Sequence, residues 1–163
     1  MLKNLFKKKA ENTELVAPIT GKVIALEQVS DQVFSQKMMG DGVAIEPSSN
    51  EVVSPIDGEI VDVFKTKHAI SLKANNGAEI LIHMGLETVE LDGEGFEVKV
   101  SNGDKVEKGD PIAVFHTDII AGKNYQTVTP IILLNGDEYT ADQKISDEDA
   151  KAGETILFEL KKN

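Results

Sequence analysis

Two of the three histidines in the chain, His68 and His83, lie on either side of a strong turn signal. Each belongs to a short apolar or alternating run, over residues 66–72 and 78–84, and an Asn-Asn-Gly sequence at 75–77 separates the runs. Because Asn and Gly tolerate positive φ angles, the segment predicts a β-hairpin with strands about 5 Å apart. A histidine pair on such a hairpin is a candidate active site.

The register of this hairpin determines whether the two imidazoles meet. A two-residue loop at 75–76 places His68 directly opposite His83, and a loop at 76–77 makes them diagonal neighbours on one face. A three-residue loop at 75–77 places them on opposite faces, yet it is this loop that best matches the apolar faces of the two strands. The hydrophobic period alone therefore leaves the pairing open.

Composition indicates one soluble globular domain with a sizeable core. The chain has 163 residues, of which 40% are hydrophobic and 28% charged, and it has no cysteine for disulfide or thiol chemistry. We find neither an apolar run that could span a membrane nor a signal-peptide pattern, and these features favour a cytoplasmic protein. The net charge of −11 disfavours nucleic acid and suits a basic protein partner.

The N-terminal segment differs from the rest of the chain. Residues 1–9 contain four lysines and no acidic residue, and Leu2, Leu5 and Phe6 would share one side of a helical turn. We interpret residues 1–14 as a flexible basic arm and residues 15–163 as a single domain. The arm is either a solvated tail or a weak contact with a membrane surface through residues 1–9.

From Leu15 onward the pattern is that of an all-β protein. Runs rich in Val and Ile are interrupted by Gly, Pro, Asn or Asp about every 8–12 residues, which predicts an antiparallel β-sandwich or barrel-like sandwich. One or two short helical turns are expected, at 118–123 and 147–152. Residues 15–23 and 52–60 share a strand, Pro-turn, Gly, strand pattern 37 positions apart, which indicates approximate internal two-fold symmetry.

These segments together resemble the glucose-type enzyme IIA component of the bacterial phosphoenolpyruvate:sugar phosphotransferase system. The resemblance covers roughly residues 15–160, and two histidine segments and a Gly-Asp-Gly turn make it specific. It is carried by Ala17-Pro18-Ile19-Thr20-Gly21, Val33 to Gly42, Val52-Val53-Ser54-Pro55-Ile56-Asp57-Gly58, Thr66-Lys67-His68-Ala69, Ile82 to Val89 and Leu91 to Phe96.

The resemblance implies an all-β phosphocarrier that moves a phosphoryl group between proteins. The group would come from the phosphohistidine of the carrier HPr and pass to a cysteine on the IIB domain of a glucose-type sugar transporter. By motif, His83 matches the phosphorylated histidine, with Nε2 as acceptor, and His68 matches the histidine that contacts the phosphoryl group. Thr66 matches a residue that hydrogen-bonds within the pair. For Nε2 to be free, Nδ1–H of His83 must donate elsewhere, and a backbone carbonyl is expected.

The same resemblance predicts a partner surface around the histidines. Its apolar collar would comprise Phe34, Met38, Met39, Phe64, Leu81 and Met84; the alternative is that most of these are simply core residues. Asp31, Glu87 and Glu90 would form an acidic rim for basic groups of the partner, each contributing about 0–1 kcal/mol. An interface below about 1,200 Å² is expected, because a carrier must release its partners.

No cofactor is required by this chemistry. Zinc could nevertheless bind to His68 and His83 together with a carboxylate of a partner. A zinc hydrolase is disfavoured, since neither histidine has the His-x-His spacing and a catalytic zinc needs three protein ligands. A lipoyl- or biotin-type carrier is also disfavoured, because Asp104-Lys105 lies inside a pair of tight turns.

Overall fold

The computed structural model describes residues 12–163 of the chain. The predicted basic arm and its membrane contact through residues 1–9 lie outside these residues. The first strand begins at Asn12 and pairs residues 12–14 with the last strand, so the regular structure starts three residues before the predicted domain boundary. Among the described residues, no helix is long and apolar enough to cross a membrane.

Residues 12–163 form fourteen strands and two short α-helices. The helices are α1 (Gln32–Ser35) and α2 (Thr117–Gly122), and 3₁₀ helices occupy Leu26–Gln28 and Thr88–Leu91. The strands are β1 (Asn12–Val16), β2 (Gly21–Ala25), β3 (Asp41–Pro47), β4 (Glu51–Val53), β5 (Gly58–Val63), β6 (Ala69–Ala74), β7 (Glu79–His83), β8 (Phe96–Val98), β9 (Lys105–Val106), β10 (Pro111–Phe115), β11 (Thr129–Leu133), β12 (Tyr139–Asp142), β13 (Glu148–Ala150) and β14 (Ile156–Lys162).

Every strand pair is antiparallel, and the predicted all-β sandwich class is confirmed. The largest sheet has eight strands in the order β13-β2-β3-β11-β7-β6-β5-β9. Two three-stranded sheets, β1-β14-β12 and β4-β10-β8, complete the fold. The predicted hairpin is formed by β6 and β7, which lie in the middle of the large sheet rather than at its edge.

The sheet order contains the internal symmetry that the sequence echo indicates. The eight-stranded order maps onto itself when β2 exchanges with β5, β3 with β6, and β11 with β7, and the two small sheets then exchange with each other. The echoed segments also bond reciprocally, since Val16 N–H donates to the Pro55 carbonyl at 3.0 Å and Val53 N–H donates to the Pro18 carbonyl at 2.8 Å. The site therefore lies near the centre of a doubled scaffold.

The β6–β7 hairpin is buried on both faces near the end that carries the histidines. Ile70 and Ile82 belong to the main core, whereas Ala69 and Leu81 belong to a second cluster that includes Phe34 of α1. Alternate residues of a strand point to opposite faces, so this division shows that each face packs against its own layer. The hairpin is consequently held rigidly on two sides, which suits a site that depends on position.

The two expected helical turns had different outcomes. The turn expected at 118–123 is α2 and is confirmed. The turn expected at 147–152 was wrong, because residues 148–150 form β13, which pairs with β2 at the edge of the large sheet. Asp147 has a φ of 60°, outside the right-handed helical region, and its N–H donates to the Val23 carbonyl at 2.8 Å. Tertiary pairing has overridden the local helical pattern.

Candidate active site

His68 and His83 meet at one end of the β6–β7 hairpin. His83 is the last residue of β7, and His68 immediately precedes β6. Their ring centroids are 4.9 Å apart, with an interplanar angle of 80°, so one ring presents its edge to the other. The described chain therefore brings the two sequence-predicted histidines together.

The hairpin register is nevertheless the one that was predicted to separate them. Residues 75–77 form a three-residue loop, with Ala74 N–H donating to the Ala78 carbonyl, and Ala69 rather than His68 lies opposite His83. The inference that this register puts the rings on opposite faces was wrong, because His68 lies in a turn and not in a strand. Lys67, just before it, has a φ of 61°, so the alternation of faces does not extend to His68.

Each imidazole is oriented by one hydrogen bond through Nδ1. His83 Nδ1 lies 2.7 Å from the Gly85 carbonyl oxygen, and His68 Nδ1 lies 2.7 Å from Thr66 Oγ1. A carbonyl oxygen accepts and cannot donate, so Nδ1 of His83 must carry the proton. In the neutral ring Nε2 then has a free lone pair, which is the state required of a nucleophile.

Burial keeps both rings neutral near pH 7. Desolvation, together with the nearby His83, lowers the pKa of His68 to about 4. Desolvation also lowers the pKa of His83, while the bond to the Gly85 carbonyl and the charge of Asp31 act in the opposite direction. Because only an unprotonated imidazole nitrogen can attack phosphorus, these directions favour phosphoryl acceptance at neutral pH.

Two phenylalanines frame the histidine pair. The Phe34 ring lies 5.0 Å from the His83 ring at 59°, and the Phe64 ring lies 5.6 Å from the His68 ring at 88°. Phe34 is positioned by α1, whose N-terminus is capped by the Asp31 side chain accepting from Val33 N–H at 2.8 Å. Each imidazole therefore has one aromatic neighbour that limits its rotation.

The predicted apolar collar is only partly exposed. Met38, Met39 and Phe64 are 70%, 38% and 36% exposed and can meet another protein. Leu81 and Met84 are 2% and 0% exposed, so their assignment to a partner surface was wrong: Leu81 packs in the second cluster, and Met84, just after β7, packs in the main core. Phe34 is 4% exposed, so its assignment to the partner surface was also wrong, and its ring contacts His83 instead.

Exposed valines add to the apolar surface in a way the sequence analysis missed. Val33 is 40% exposed on α1, and Val89 is 50% exposed on the 3₁₀ helix that follows His83. An isolated valine in a sequence is usually core, so no signal distinguished these two. The backbone carbonyl that was expected to accept from His83 Nδ1 is that of Gly85, and its only sequence clue is a glycine two residues after His83.

The three acidic residues of the predicted rim have different surroundings. Glu87 and Glu90 are exposed, and Asp31 is half-buried and close enough to His83 that its charge partly opposes the lowering of the His83 pKa by desolvation. Glu90 accepts a hydrogen bond from the Tyr125 hydroxyl at 2.9 Å, which raises the pKa of that phenol. Within residues 12–163 no cluster of three or more His, Asp or Glu residues could hold a metal ion.

The family model described as phosphoenolpyruvate-dependent sugar phosphotransferase system, EIIA 1, matches residues 13–139. The chain therefore belongs to this EIIA family, and the resemblance stated from its motifs is confirmed. As an EIIA component, it has a phosphotransferase role in sugar transport.

Individual relatives agree over nearly the full length. The chain is 50% identical to the PTS system glucose-specific EIIA component of Oceanobacillus iheyensis, over 98% of this chain and 99% of the relative. It is 48% identical to the protein of the same description from Staphylococcus aureus, with full coverage of both. Among solved structures it is similar to glucose permease IIA from Mycoplasma capricolum, with a TM-score of 0.84, 36% identity, and coverage of 91% and 95% of the two chains.

Proposed function

We propose that this chain is a cytoplasmic phosphocarrier that accepts a phosphoryl group on Nε2 of His83 from phospho-HPr. It then donates the group to a cysteine on the IIB domain of a sugar transporter, and the glucose-specific names of its relatives support a transporter of the glucose type. The observation that carries the proposal is the hydrogen bond from His83 Nδ1–H to the Gly85 carbonyl at 2.7 Å. It leaves Nε2 as the ring atom with an available lone pair, next to a second imidazole.

Acceptance is a displacement at phosphorus. The Nε2 lone pair of His83 forms a new N–P bond while the N–P bond to the HPr histidine breaks, and that bonding pair returns to the HPr imidazole. The transferring group is metaphosphate-like, so the protein contributes mainly position and charge stabilisation. The hydrogen bond to Gly85 and the Phe34 ring supply the position, because they hold the His83 ring in one orientation.

His68 stabilises the phosphoryl group in this proposal. If Thr66 donates its hydroxyl proton to His68 Nδ1, Nε2 of the neutral ring carries its single N–H and can donate to a phosphoryl oxygen. The phosphoryl group would also raise the pKa of His68, since a nearby negative charge favours imidazolium. A protonated His68 would then stabilise the phosphoryl group while it is transferred to the next protein.

Donation to IIB is the reverse type of step. A cysteine thiolate of IIB attacks phosphorus, the His83 N–P bond breaks, and its bonding pair returns to Nε2 as a lone pair. The site thus begins the next cycle unchanged, with Nδ1 still protonated. Phosphorus moves from nitrogen to sulfur without a change in oxidation state, and no water molecule enters the balance.

A single face serves both partners in this account. Its exposed apolar residues are Val33, Met38, Met39, Phe64 and Val89, and Asp31, Glu87 and Glu90 add negative charge beside them. Methionine side chains adapt to differently shaped surfaces, which suits a face that must receive both HPr and IIB. Zinc binding stays a separate prediction. His68 and His83 would each supply an imidazole nitrogen, and a carboxylate of a partner would be a further ligand.

The direct test uses labelled phosphoenolpyruvate, the upstream enzyme, HPr and this full chain. We expect label to enter the chain only when HPr is present, to map to His83, and to leave when a IIB domain with its cysteine is added. A IIB domain whose cysteine is replaced by serine is the matched control and should not discharge the carrier. Label that bypasses HPr, or that stays on the chain with active IIB, would contradict the proposal.

A further inference from the structure

Thr88 lies three residues after Gly85 in the chain and is completely buried. It is one of four buried polar residues within the described part of the chain, together with Ser54, His68 and Thr129. It begins the 3₁₀ helix at Thr88–Leu91, immediately after the segment that carries the Gly85 carbonyl. A buried hydroxyl needs a partner, so the position of this threonine is constrained by its hydrogen bond.

The hydroxyl of Thr88 fixes the Met84–Gly85 peptide, which follows His83 in the chain. Thr88 Oγ1 donates to the Met84 carbonyl at 2.7 Å, and Met84 N–H donates to the His68 carbonyl at 2.8 Å. Met84 stands between His83 and Gly85 in the chain. The N–H and the carbonyl of Met84 are therefore both hydrogen-bonded, the N–H to His68 and the carbonyl to Thr88.

The methyl group of Thr88 packs against the glycine itself. A Cβ placed on Gly85 would lie 2.6 Å from the Thr88 methyl carbon and 2.9 Å from the Gln126 carbonyl oxygen, and Gly85 has a φ of 83°. Leu86 N–H donates to that same Gln126 carbonyl at 3.1 Å. The Gly85 peptide is thus enclosed on one side by Thr88, and the next residue, Leu86, is held by its hydrogen bond to Gln126.

We infer that Thr88 is a positioning residue that aims the Gly85 carbonyl at His83 Nδ1 and so keeps Nε2 available for phosphoryl transfer. The expected change in the rate of phosphoryl transfer rests on the proposed function, whereas the expected change in the His83 tautomer rests on the geometry alone. Thr88 touches neither the phosphoryl group nor a reacting nitrogen. Its effect passes through the Met84 and Gly85 peptides to the tautomer of His83.

The test compares Thr88→Val, Thr88→Ser and Thr129→Val in the full chain. Valine keeps the shape of Thr88 and removes its hydroxyl, whereas serine keeps the hydroxyl and removes the methyl group. Thr129 is a matched control, because it is 1% exposed and donates to a nearby carbonyl, that of Thr127 at 3.0 Å. The readouts are the ¹⁵N shifts of the His83 ring nitrogens and the rate of label transfer from phospho-HPr.

We expect Thr88→Val to weaken the Nδ1–H signature of His83 and to slow acceptance about tenfold. Thr88→Ser should restore most of both, and Thr129→Val should change neither. A folded Thr88→Val protein with wild-type nitrogen shifts and rate would overturn the inference, as would an equal loss in Thr129→Val. If Thr88→Val does not fold, a wild-type His83 that carries its proton on Nε2 would overturn it instead.

The nitrogen shifts also separate this inference from the proposed function. They need no phosphoryl donor and are measured on the unphosphorylated protein. A wild-type chain that takes no label from HPr would refute the function, while the tautomer of His83 in Thr88→Val would still test the role of Thr88.

Discussion

Two turns in this molecule share a Val-Phe-x-x-Lys sequence and one backbone hydrogen bond, but their chemistry differs. One leads from Val33-Phe34 in α1 through Lys37 to Met38, three residues before β3 begins, and the other leads from Val63-Phe64 through Lys67 to His68, directly before β6. In each, the lysine has a left-handed φ, 58° and 61°, and its N–H donates to the phenylalanine carbonyl, at 3.0 and 2.8 Å. The strands β3 and β6 are themselves counterparts in the two-fold order of the large sheet.

The difference lies in the residue after the lysine. Met38 is 70% exposed, whereas His68 is 4% exposed and lies against His83 at the end of β7. The counterpart of β7 is β11, which ends at Leu133, an apolar residue. The doubled scaffold therefore has a similar lysine turn ahead of β3 and of β6, and within residues 12–163 only the second is followed by an imidazole, whose burial keeps it neutral.

The largest expected effect is on the nucleophile. His83→Gln should abolish acceptance from phospho-HPr, at least about a thousandfold, because glutamine has no ring nitrogen to attack phosphorus. The matched control is His116→Gln, which changes the remaining histidine, whose Nε2 lies 2.7 Å from an exposed Glu97 carboxylate. Label on His83→Gln, or loss of acceptance in His116→Gln, would contradict the assignment.

A more selective effect is expected at the histidine that distinguishes the two turns. His68→Gln should still accept the group from HPr, since His83 retains its bond to the Gly85 carbonyl. Donation to IIB should fall about a hundredfold, because the hydrogen bond to the departing phosphoryl group is lost. Single-turnover discharge of the labelled variant measures this, and equal losses in acceptance and donation would argue against separate roles.

Thr66→Val should produce a smaller loss of the same kind. It removes the hydroxyl 2.7 Å from His68 Nδ1, and the ring remains but is less well oriented. We expect discharge to IIB to slow about tenfold, with acceptance changed much less. Thr66→Ser keeps the hydroxyl and should recover most of the rate, so failure of serine to recover it would count against an orienting role.

Acid should destabilise the fold through His68. Its pKa is about 4 in the folded chain and about 6.5 when unfolded, so the unfolded state binds more protons between these values. The contribution of the neutral ring is fully present above about pH 6.5 and is lost as the pH falls towards 4, by at most about 3 kcal/mol. Urea unfolding at several pH values measures the free energy, and His68→Gln should flatten the profile. An equally steep profile in the variant would contradict the shifted pKa.

The smallest expected effect tests the similarity of the two turns. Replacing Lys67 by glycine relieves a left-handed φ at an exposed position and should stabilise the fold by up to about 1 kcal/mol. Lys37→Gly should give less, because Lys37 Nζ also lies 3.3 Å from Asp41. Thermal unfolding of both variants measures this, and a marked loss of stability in Lys67→Gly would show that the turns differ energetically.

The sequence predicted the class of fold, the internal echo and both histidines, since each depends on local pattern or motif. It failed where burial by distant segments decides the outcome. The motif assigns Leu81 and Met84, which flank His83 in the chain, to a partner surface, but each packs in a core cluster built from distant segments. Likewise, face alternation misplaced His68, because a turn whose lysine has a positive φ follows no strand period.

The central claim is that Nε2 of His83 accepts the phosphoryl group. The decisive measurement is ¹⁵N and ³¹P NMR of the chain after charging by phospho-HPr, with the ring nitrogens of each histidine assigned. We predict a phosphorus–nitrogen coupling at Nε2 of His83, with Nδ1 of the same ring still protonated. A coupling to Nδ1 of His83, or to either nitrogen of His68, would contradict the account.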